Sequence, residues 1–349
     1  MELLESFQGK KVLITGHTGF KGSWLSVILS MAGAKLCGYA LDPPTEPSVY
    51  EEAGISALYG ERDIRGDIRD FQHLRQVFTD FQPDIVLHLA AQPIVRTSYA
   101  EPYLTYETNV MGTVNVMECV RLTPSVRSVL NVTTDKVYEN PEENRAFQET
   151  DPLDGYDPYS NSKSCSELVT HCYARSFLGP AGVAVSTTRA GNVIGGGDWQ
   201  KDRIVPDCVR AALAGKEILV RNPNSVRPYQ HVLEPLFAYL RIAAAQLRDP
   251  EKSGWYNVGP DSADCLTTGE LADLFCSTWG EGLSWRAEQE NGPHEAGFLR
   301  LDNTKIREEL GWKPRWNARE AIRRTIEYER AEDKAACMRQ QIREYQNHV

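Results

Sequence analysis

The sequence lacks any long hydrophobic run, since no stretch approaches the ~20 consecutive apolar residues that a membrane helix needs. Its opening residues, MELLE, are acidic and have no apolar core, so they do not show the pattern of a signal peptide. Both absences predict a cytoplasmic protein with no membrane partner.

Metal-binding and redox motifs are missing as well. The 8 cysteines are scattered and form no C-x-x-C pair, and the 7 histidines form no H-E-x-x-H pattern. We therefore expect reduced thiols and no structural metal ion.

Basic residues are in deficit, because 38 Lys and Arg stand against 48 Asp and Glu and give a formal net charge of −10. Nucleic acids and anionic membrane surfaces attract positively charged proteins, so neither is an expected partner. An anionic ligand must instead meet a few local cationic side chains or backbone N–H groups.

What the sequence does contain is a regular alternation of short β-branched runs and helical patterns. Its 349 residues, 41% of them hydrophobic, are enough for about two domains. The alternation predicts an α/β fold of the Rossmann type, a doubly wound parallel sheet with helices on both faces. The predicted strands are 12–15, 35–41, 85–89, 129–133 and 183–188, and the predicted helices are 23–32, 71–81, 103–121 and 158–178.

The pattern changes after about residue 190, where glycine-rich and proline-rich turns and tryptophans become frequent. This change predicts a second, less regular unit. The final segment, from 317 to about 347, has the charge pattern of one surface helix.

A glycine-rich turn follows the first predicted strand. Its glycines are spaced G-x-x-G-x-x-G, a variant of the dinucleotide-binding fingerprint. Glycine permits a tight turn and lets a pyrophosphate approach the backbone N–H groups at a helix end. Asp42, at the end of the second strand, suits the hydroxyls of an adenosine ribose and favours NAD over NADP. The predicted cofactor turn comprises Gly16, His17, Thr18, Gly19, Phe20, Lys21 and Gly22.

Tyr159 and Lys163 lie near the start of a predicted helix, for which Asp157 is the expected N-cap and Pro158 the first residue. Their spacing of four places both side chains on one helix face. Free tyrosine, with a pKa of ~10, is a poor base near neutrality. A lysine ammonium, an oxidised nicotinamide and the helix N-terminus would each favour the phenolate. The pair can then remove a hydroxyl proton while a hydride leaves the same carbon.

Thr133, Thr134, Asp135 and Lys136 directly follow a buried strand. Ligands of open α/β sheets bind at this carboxyl edge. By themselves, a carboxylate and a lysine at a strand end are also typical of a solvated turn. Together with Tyr159, they indicate an acid and a base that face a substrate.

Several segments resemble those of a known family. The segments that resemble the extended short-chain dehydrogenase/reductases acting on nucleotide sugars are the glycine turn, 88–92 (HLAAQ), 109–113 (NVMGT) and the pair Tyr159 and Lys163. The segment 134–138 (TDKVY) resembles the Thr-Asp-Glu signature of the sugar-nucleotide 4,6-dehydratases. The segments similar to the CDP-glucose members of that family are 16–24 (GHTGFKGSW), 191–199 (GNVIGGGDW) and 227–232 (RPYQHV).

The resemblance implies an internal redox reaction on CDP-D-glucose, with NAD as a regenerated cofactor. Tyr159 would take the 4-hydroxyl proton as hydride leaves C-4, the C-5 proton and the 6-hydroxyl would then be lost, and hydride would return to C-6. Thr134 would hydrogen-bond the 4-oxygen, and Lys163 would hold the ribose and lower the pKa of Tyr159. Asp135 would protonate the departing hydroxyl. The product would lead toward deoxy sugars of surface polysaccharide such as lipopolysaccharide O-antigen.

Further ligand contacts follow from the same resemblance. The cofactor contacts outside the glycine turn would be Asp42, Asp67, Ile68, Leu89, Ala90, Ala91, Asn109, Thr133, Tyr159 and Lys163. The substrate contacts would be Gln92, Thr134, Asn192, Arg203, Arg227 and Arg300. The three arginines are expected in this role because guanidinium groups suit phosphate oxygens.

The expected units are an NAD-binding domain at 1–189, to which about 226–258 returns, and a smaller, discontinuous α/β substrate-binding domain at 190–225 and 259–325. A C-terminal helix is expected at 326–349. The resemblance also implies a homodimer or higher homo-oligomer, formed through the helices after Tyr103 and Pro158.

Lys136 departs from the broader pattern, since relatives that use deoxythymidine-linked sugars carry a glutamate base there. A lysine accepts the C-5 proton only when neutral, and its reference pKa is ~10.4. Burial beside Lys163 and an oxidised nicotinamide would lower the pKa of Lys136. We favour Lys136 as the base, and the alternative is a protonated Lys136 that stabilises the enolate while another group acts as base.

Other functions remain open at this point. One is a 4,6-dehydratase for a different nucleotide-glucose, and another is a nucleotide-sugar 4-epimerase, which needs no acid to expel water at C-6. A third is a redox-sensing binding protein without catalysis, which the intact Tyr159 and Lys163 disfavour.

Overall fold

The protein is described by a computed structural model that covers residues 2–288 and 297–347. The predicted second unit therefore has a stretch, 289–296, outside the described residues, and so do the last two residues of the predicted C-terminal helix. The strands are β1 Lys11–Thr15, β2 Lys35–Ala40, β3 Asp63–Arg65, β4 Ile85–His88, β5 Ser128–Val132, β6 Ala184–Ala190, β7 Val193–Ile194, β8 Ile218–Val220, β9 Val226–Arg227, β10 Gln230–His231, β11 Trp255–Val258, β12 Leu266–Thr267 and β13 Trp285–Ala287.

Helices connect most of these strands. They are α1 Glu2–Glu5, α2 Phe20–Met31, α3 Val49–Glu52, α4 Phe71–Phe81, α5 Val95–Ala100, α6 Pro102–Tyr106, α7 Gly112–Arg121, α8 Pro158–Tyr173, α9 Ile204–Leu213, α10 Leu233–Arg248, α11 Thr268–Trp279, α12 Thr304–Leu310, α13 Ala318–Arg330 and α14 Lys334–Asn347. A π-helical stretch, Glu107–Met111, joins α6 to α7, and a second one, Ala174–Leu178, extends α8.

Within the described ranges, seven strands form one parallel sheet in the order β11-β6-β5-β4-β1-β2-β3. The chain starts in the middle at β1, builds outward to β3, and then crosses back to β4 on the other side of β1. The order reverses between β1 and β4, which is where open α/β sheets bind dinucleotides. The predicted doubly wound Rossmann-type sheet is confirmed.

Alternating side chains of the strands enter two separate cores. Val12 and Ile14 of β1 face the core that contains α2 and α10, whereas Leu13 between them faces the core that contains α4 and α7. Side chains of a strand point alternately to opposite faces, so a strand buried on both faces is apolar throughout. This arrangement explains why the first-half strands have continuous hydrophobic runs.

The irregular second half has its own core and also contributes to the main sheet. Short strands pair as β7 with β10, β8 with β13 and β9 with β12, and apolar side chains of α9, α11 and α13 pack together beside them. The last strand, β11, joins the main sheet beside β6, and α10 packs against β5 and β6. The exact domain boundaries stay a prediction.

Most element predictions are confirmed to within a few residues, but the C-terminal one is wrong. The single helix expected from 317 to 347 is two helices, because Ala331 is extended between α13 and α14. Lys334 Nζ donates to the carbonyls of Tyr328 and Glu329, and the Asp333 carboxylate accepts the N–H of Ala336. These side-chain contacts end one helix and start the next.

Glu234, at the start of α10, attaches this C-terminal region to the main body. Its Oε1 accepts the N–H groups of Arg315 at 3.0 Å and Trp316 at 2.7 Å, and its Oε2 accepts the hydroxyl of Tyr345 at 2.6 Å. No helix among the described residues is long and apolar enough to cross a membrane.

Glu234→Gln tests whether this buried carboxyl makes stability depend on pH. Burial raises the pKa of Glu234 from 4.5 to about 7, against the lowering effect of its hydrogen bonds. Between pH 4.5 and about 7, Glu234 therefore keeps a proton in the folded chain that it has lost in the unfolded chain. The free energy of unfolding of the wild type falls as pH rises through this window, and the stabilisation that is present below pH 4.5 is lost by about pH 7. The variant cannot ionise, and its free energy of unfolding relative to the wild type should rise by up to about 3 kcal/mol across this window.

Urea unfolding at several pH values between 4.5 and 7.5 measures this difference. The control is the exposed Glu101→Gln, for which the difference from the wild type should stay constant. A pH-independent difference for Glu234→Gln would contradict the prediction.

Candidate active site

The cofactor turn is shaped by two glycines that pack against backbone. Gly16 has a φ of +76°, and a Cβ there would lie 2.7 Å from the backbone nitrogen of Ala90. A Cβ on Gly22 would collide with the carbonyl oxygen of Gly16. Both positions therefore require glycine so that β1, α2 and the loop after β4 can meet closely.

The middle glycine has a different environment. Gly19 is the N-cap of α2 and no side chain caps the helix, and among the described residues the nearest atom to a Cβ there is the Gly16 carbonyl oxygen at 3.5 Å. Open space thus lies in front of uncapped N–H groups at the positive end of a helix. These features fit a dinucleotide pyrophosphate, so the residues present are suited to NAD.

Asp42 lies two residues beyond β2, as a ribose-binding carboxylate requires. Its side chain is 89% exposed, and its carboxylate lies 3.0 Å from Nε of Arg65. Arg65 also contacts the carboxylate of Asp63 at 2.6 Å and the hydroxyl of Tyr50 at 3.0 Å. Two carboxylates therefore engage the cation that could otherwise attract a ribose phosphate, which supports the expected preference for NAD.

Other predicted residues of the cofactor turn direct their side chains into the protein. The buried His17 hydrogen-bonds Asp63 at 2.7 Å, and burial lowers the pKa of its imidazole. Thr18 donates to the carbonyl of Leu41 at 2.9 Å, and Phe20 packs against the main core. The side chains at these three positions are engaged within the protein, and their predicted cofactor contacts stay predictions. Lys21 differs, because its side chain lines the cavity described below.

The predicted cofactor contacts Asp67 and Ile68 lie in the loop between β3 and α4. Asp67 accepts hydrogen bonds from Arg69 at 2.6 and 2.9 Å, and these lower its pKa although burial alone would raise it. Ile68 is buried against Gly112, where a Cβ would meet its side chain. Their role as cofactor contacts stays a prediction.

The loop after β4 is fixed by hydrogen bonds to its backbone. Leu89 and Ala90 donate their N–H groups to Thr15, and Ala91 follows them in the same loop. Asn109 accepts the N–H of Gln92 at 2.8 Å and donates to its carbonyl at 3.0 Å. The Gln92 side chain folds back onto Ile94 and Thr105, at 2.7 to 3.1 Å. The geometry gives Asn109 and Gln92 a role in shaping this loop, and their predicted ligand contacts stay predictions.

Tyr159 and Lys163 project from α8, whose predicted N-cap is confirmed. The Asp157 carboxylate accepts the N–H of Ser160 at 3.0 Å, and Pro158 is the first helical residue. Lys163 Nζ donates to the carbonyl of Val132, the last residue of β5, at 3.0 Å. The helix is therefore attached to the strand end that carries the predicted acid and base.

The expected lowering of the Tyr159 pKa stays a prediction for the enzyme with bound cofactor, because in the chain by itself this pKa is raised. Burial raises the pKa of Tyr159 to about 12, while a hydrogen bond with Thr134 and the charge of Arg203 lower it. Lys163 is itself buried, which lowers its pKa to about 8, and its ammonium contacts the Val132 carbonyl. A bound cation near the phenol is needed to favour the phenolate, and an oxidised nicotinamide supplies such a charge.

Asp135 and Lys136 form an ion pair immediately beyond β5. The side chain of Asp135 is 1% exposed, and its Oδ1 accepts Lys136 Nζ at 2.9 Å and the Thr134 hydroxyl at 3.0 Å. Its Oδ2 has no hydrogen-bond partner among the described residues. A buried carboxylate with one free oxygen, paired with a lysine, can exchange a proton with a ligand.

Thr133 lines the cavity described below, and its hydroxyl is engaged within the protein. Its hydroxyl donates to Glu167 at 2.5 Å, and it also lies 3.1 Å from the carbonyl of Thr188. The side chain thus anchors the end of β5, and its predicted cofactor contact stays a prediction.

A cavity of about 520 Å³ brings the predicted chemistry together. Its lining combines Thr134, Asp135, Lys136 and Tyr159 with residues of the second half of the chain. Its volume is in the range of small-molecule sites. The predicted substrate residues that line it are Asn192, Arg203 and Arg227.

These three residues offer polar groups to a ligand. Asn192 has a buried Oδ1 without a hydrogen-bond partner in the described part of the chain. Arg203 pairs with Asp198 at 3.0 Å, and Arg227 donates to the carbonyl of Val226 at 3.0 Å. Arg300 is not among the residues found to line the cavity, and its predicted substrate contact stays a prediction.

Sequence reasoning missed several charged groups at or below the cavity. Arg96, Asp202 and Arg221 line it, and Arg221 pairs with Asp202 at 2.6 Å. Glu167 is buried beneath it, and its position four residues after Lys163 was the signal that could have revealed it. Lys21 was predicted to contact the cofactor alone, but it lines the cavity together with Arg203. Burial and the charge of Arg203 lower the pKa of Lys21 to about 7.

Comparisons with known proteins found a family model and relatives that cover most of the chain. The family model described as GDP-mannose 4,6 dehydratase matches residues 13–256. The chain is 47% identical to the CDP-glucose 4,6-dehydratase of Salmonella typhimurium, over 97% of each chain. It is 29% identical to a probable dTDP-glucose 4,6-dehydratase of Sinorhizobium fredii, over 91% of this chain and 92% of the relative.

Solved structures share the fold over almost the whole chain. A UDP-glucose 4-epimerase of Thermus thermophilus in complex with NAD is 25% identical and has a TM-score of 0.79, with 92% of this chain and 99% of the other covered. A dTDP-glucose 4,6-dehydratase of Bacillus anthracis in complex with NAD is 21% identical, with a TM-score of 0.75 and coverage of 95% and 100%. The chain therefore belongs to the GDP-mannose 4,6 dehydratase family, among the extended short-chain dehydrogenase/reductases.

Proposed function

We propose that the protein is a CDP-glucose 4,6-dehydratase, which converts CDP-D-glucose to CDP-4-dehydro-6-deoxy-D-glucose and water. The observation that carries the proposal is the Asp135–Lys136 ion pair, which faces the same cavity as Tyr159. An oxidation needs only Tyr159 and Lys163, whereas the loss of water also needs an acid and a base. The 47% identity to the Salmonella dehydratase supports CDP-glucose as the substrate.

Tyr159 begins the reaction by accepting the 4-hydroxyl proton, with Thr134 hydrogen-bonding the same oxygen. NAD, held by the glycine turn and Asp42, supplies the hydride acceptor for C-4 and the donor for C-6. Lys163 holds the nicotinamide ribose and keeps a positive charge close to the phenolate. Asp67, Ile68, the loop at 89–91, Asn109 and Thr133 complete the proposed cofactor site.

The elimination step has a proton balance that the ion pair can provide internally. Neutral Lys136 takes the C-5 proton, the C-6–oxygen bond breaks, and protonated Asp135 gives its proton to the departing 6-hydroxyl, which leaves as water. Afterwards Lys136 is an ammonium and Asp135 a carboxylate, which is the pair at 2.9 Å. Reduction at C-6 also requires a proton at C-5, and the Lys136 ammonium returns one, so Lys136 is neutral again. The proton that Tyr159 took from the 4-hydroxyl balances the proton that Asp135 gave to the departing water. An ammonium that exchanges with solvent before it returns its proton places solvent hydrogen at C-5.

The substrate diphosphate is assigned to the part of the cavity that the second half of the chain lines. Arg203 and Arg227 are the cations placed to meet phosphate oxygens, and Asn192 adds a polar group. Gln92 and Arg300 are proposed to act from the edge of the site. A 4-epimerase does not eliminate water and would not need the acid and base of the Asp135–Lys136 pair, so we favour the dehydratase.

We also propose that the protein acts in the cytoplasm as a homodimer and supplies deoxy sugars for surface polysaccharide. The helices α6 to α8 and their π-helical extensions carry large exposed apolar side chains: Tyr103 is 79% exposed, Leu168 53%, Met111 52% and Phe177 47%. A patch of this kind is typical of a protein–protein interface. A second copy of the chain is the proposed occupant.

Incubation with CDP-, dTDP-, GDP- and UDP-glucose tests the activity. We expect the alkaline absorbance of a 4-keto sugar with CDP-glucose, and at least a 1,000-fold lower rate for Tyr159→Phe, because the 4-hydroxyl would lose its base. Product from a different nucleotide-glucose alone would overturn cytidine as the nucleoside of the substrate. No product from any of the four would overturn the proposed dehydratase activity.

Lys136→Ala tests the C-5 base. In deuterium oxide the wild type should incorporate deuterium at C-5 of the sugar, and the variant should lose this exchange by at least 100-fold while it still oxidises C-4. The control is the exposed Lys216→Ala, which should exchange like the wild type. Exchange that persists in Lys136→Ala would make Lys136 an electrostatic stabiliser and not the base.

Leu168→Glu tests the homodimer. The wild type should sediment at roughly twice its monomer mass of 39.2 kDa, and a charge in the apolar patch should shift the variant toward the monomer. Leu213→Glu is the matched control, because Leu213 is 56% exposed on α9 and outside the patch. A monomeric wild type would contradict the proposal.

A further inference from the structure

A buried charge lies directly beneath the Asp135–Lys136 pair. Glu167 of α8 is 0% exposed and is one helical turn beyond Lys163. Its carboxylate lies 3.0 Å from Arg189 of β6, which is also buried, and 3.1 Å from His171. It also accepts the hydroxyls of Thr133 at 2.5 Å and Thr187 at 2.6 Å.

The Glu167–Arg189 pair reaches both ends of the 133–138 segment, which contains Thr134, Asp135 and Lys136. At one end Glu167 accepts the Thr133 hydroxyl. At the other end Arg189 donates to the Tyr138 hydroxyl at 2.8 Å, which in turn donates to Asn257 at 2.6 Å.

Helix α8 contacts the same segment at two further points. Lys163 donates to the carbonyl of Val132 at 3.0 Å, and Ser164 donates to the carbonyl of Val137 at 2.7 Å. The helix that carries Tyr159 therefore also fixes the segment that carries the acid and the base. A misplacement of about 1 Å between such groups can cost about 100-fold in rate.

The charge of Glu167 also acts on Lys163. Burial lowers the pKa of Lys163 to about 8, and the Glu167 carboxylate is the group that raises it. His88 of β4 and Lys21 of α2 also interact electrostatically with Lys163. Without the negative charge, Lys163 would lose its proton at a lower pH.

We propose that the buried Glu167–Arg189 pair is a positioning element for the dehydratase reaction, which holds the 133–138 segment in register with Tyr159 and Lys163. Neither residue lines the cavity, so both act through Thr133, Tyr138 and Lys163. This inference rests on the proposed function for its kinetic test, and a second readout is independent of the substrate.

Glu167→Gln removes the charge and keeps the shape. The glutamine oxygen can replace the atom that accepts from Arg189 and Thr187, and its amide can donate to Thr133, whose hydroxyl still has the Thr188 carbonyl as acceptor. We expect kcat for CDP-glucose to fall at least 10-fold with KM within 2-fold. The alkaline limb of the kcat profile should move to lower pH by about one unit, because Lys163 loses its anionic neighbour.

Thr187→Val is the matched control, since it removes one hydrogen bond to Glu167 and leaves both the charge and the segment in place. It should keep kcat within 2-fold and the alkaline limb unmoved. If kcat fell equally in Thr187→Val and Glu167→Gln, the pair would contribute only to core packing, and the proposal would be overturned. A Glu167→Gln enzyme with wild-type kcat and pH profile would also overturn it.

Tyr138→Phe decides the matter if Glu167→Gln does not fold. It removes only the hydroxyl that joins Arg189 to Asn257, and we expect kcat to fall at least 3-fold with KM and the pH profile unchanged. An unchanged kcat would overturn the proposal in that case.

Hydrogen exchange measured by mass spectrometry separates this inference from the proposed activity. Peptides that cover 131–139 should exchange at least 5-fold faster in the folded variant used, Glu167→Gln or Tyr138→Phe, than in Thr187→Val. If no nucleotide sugar reacts even with the wild type, the proposed function fails, and this exchange alone then supports or overturns the positioning role.

Discussion

The contact between α8 and the carboxyl end of β5 is the constraint on which the site depends. Lys163 reaches the last carbonyl of the strand, and Tyr159 lies one turn earlier on the same helix. Asp135 and Lys136 follow that strand end immediately. The proposed base for the hydroxyl proton and the proposed pair for the elimination therefore share one cavity, because one helix and one strand end are held together.

The same sheet edge resolves the problem of anion binding by an acidic protein. At the β1–α2 turn a pyrophosphate would meet backbone N–H groups of an uncapped helix, which add no net charge. Within the cavity, the substrate diphosphate would meet Arg203 and Arg227. A net charge of −10 excludes broad polyanion binding but is compatible with two diphosphates, each met locally.

The sequence predicted those structural elements that depend on interactions between residues close together in the chain. The glycine turn, the Asp157 cap and the apolar strands were recognisable because each depends on neighbouring residues. β3 was missed, since three residues with mixed burial have no clear pattern, and the break at Ala331 depends on contacts made by Lys334. Features that depend on tertiary contacts could not be predicted from the sequence. The high pKa of Tyr159 comes from burial, and the Glu167–Arg189 pair joins residues 22 positions apart.

Oxidation at C-4, loss of water and reduction at C-6 are proposed to occur in one cavity on one bound cofactor. The most direct test mixes two forms of CDP-glucose and follows their turnover. One form carries deuterium at C-4, and the other carries no deuterium but has ¹³C throughout the glucose. Every deuterium should appear in the C-6 methyl group of the molecule that carried it. Deuterium found in solvent or in the ¹³C-labelled product would contradict it.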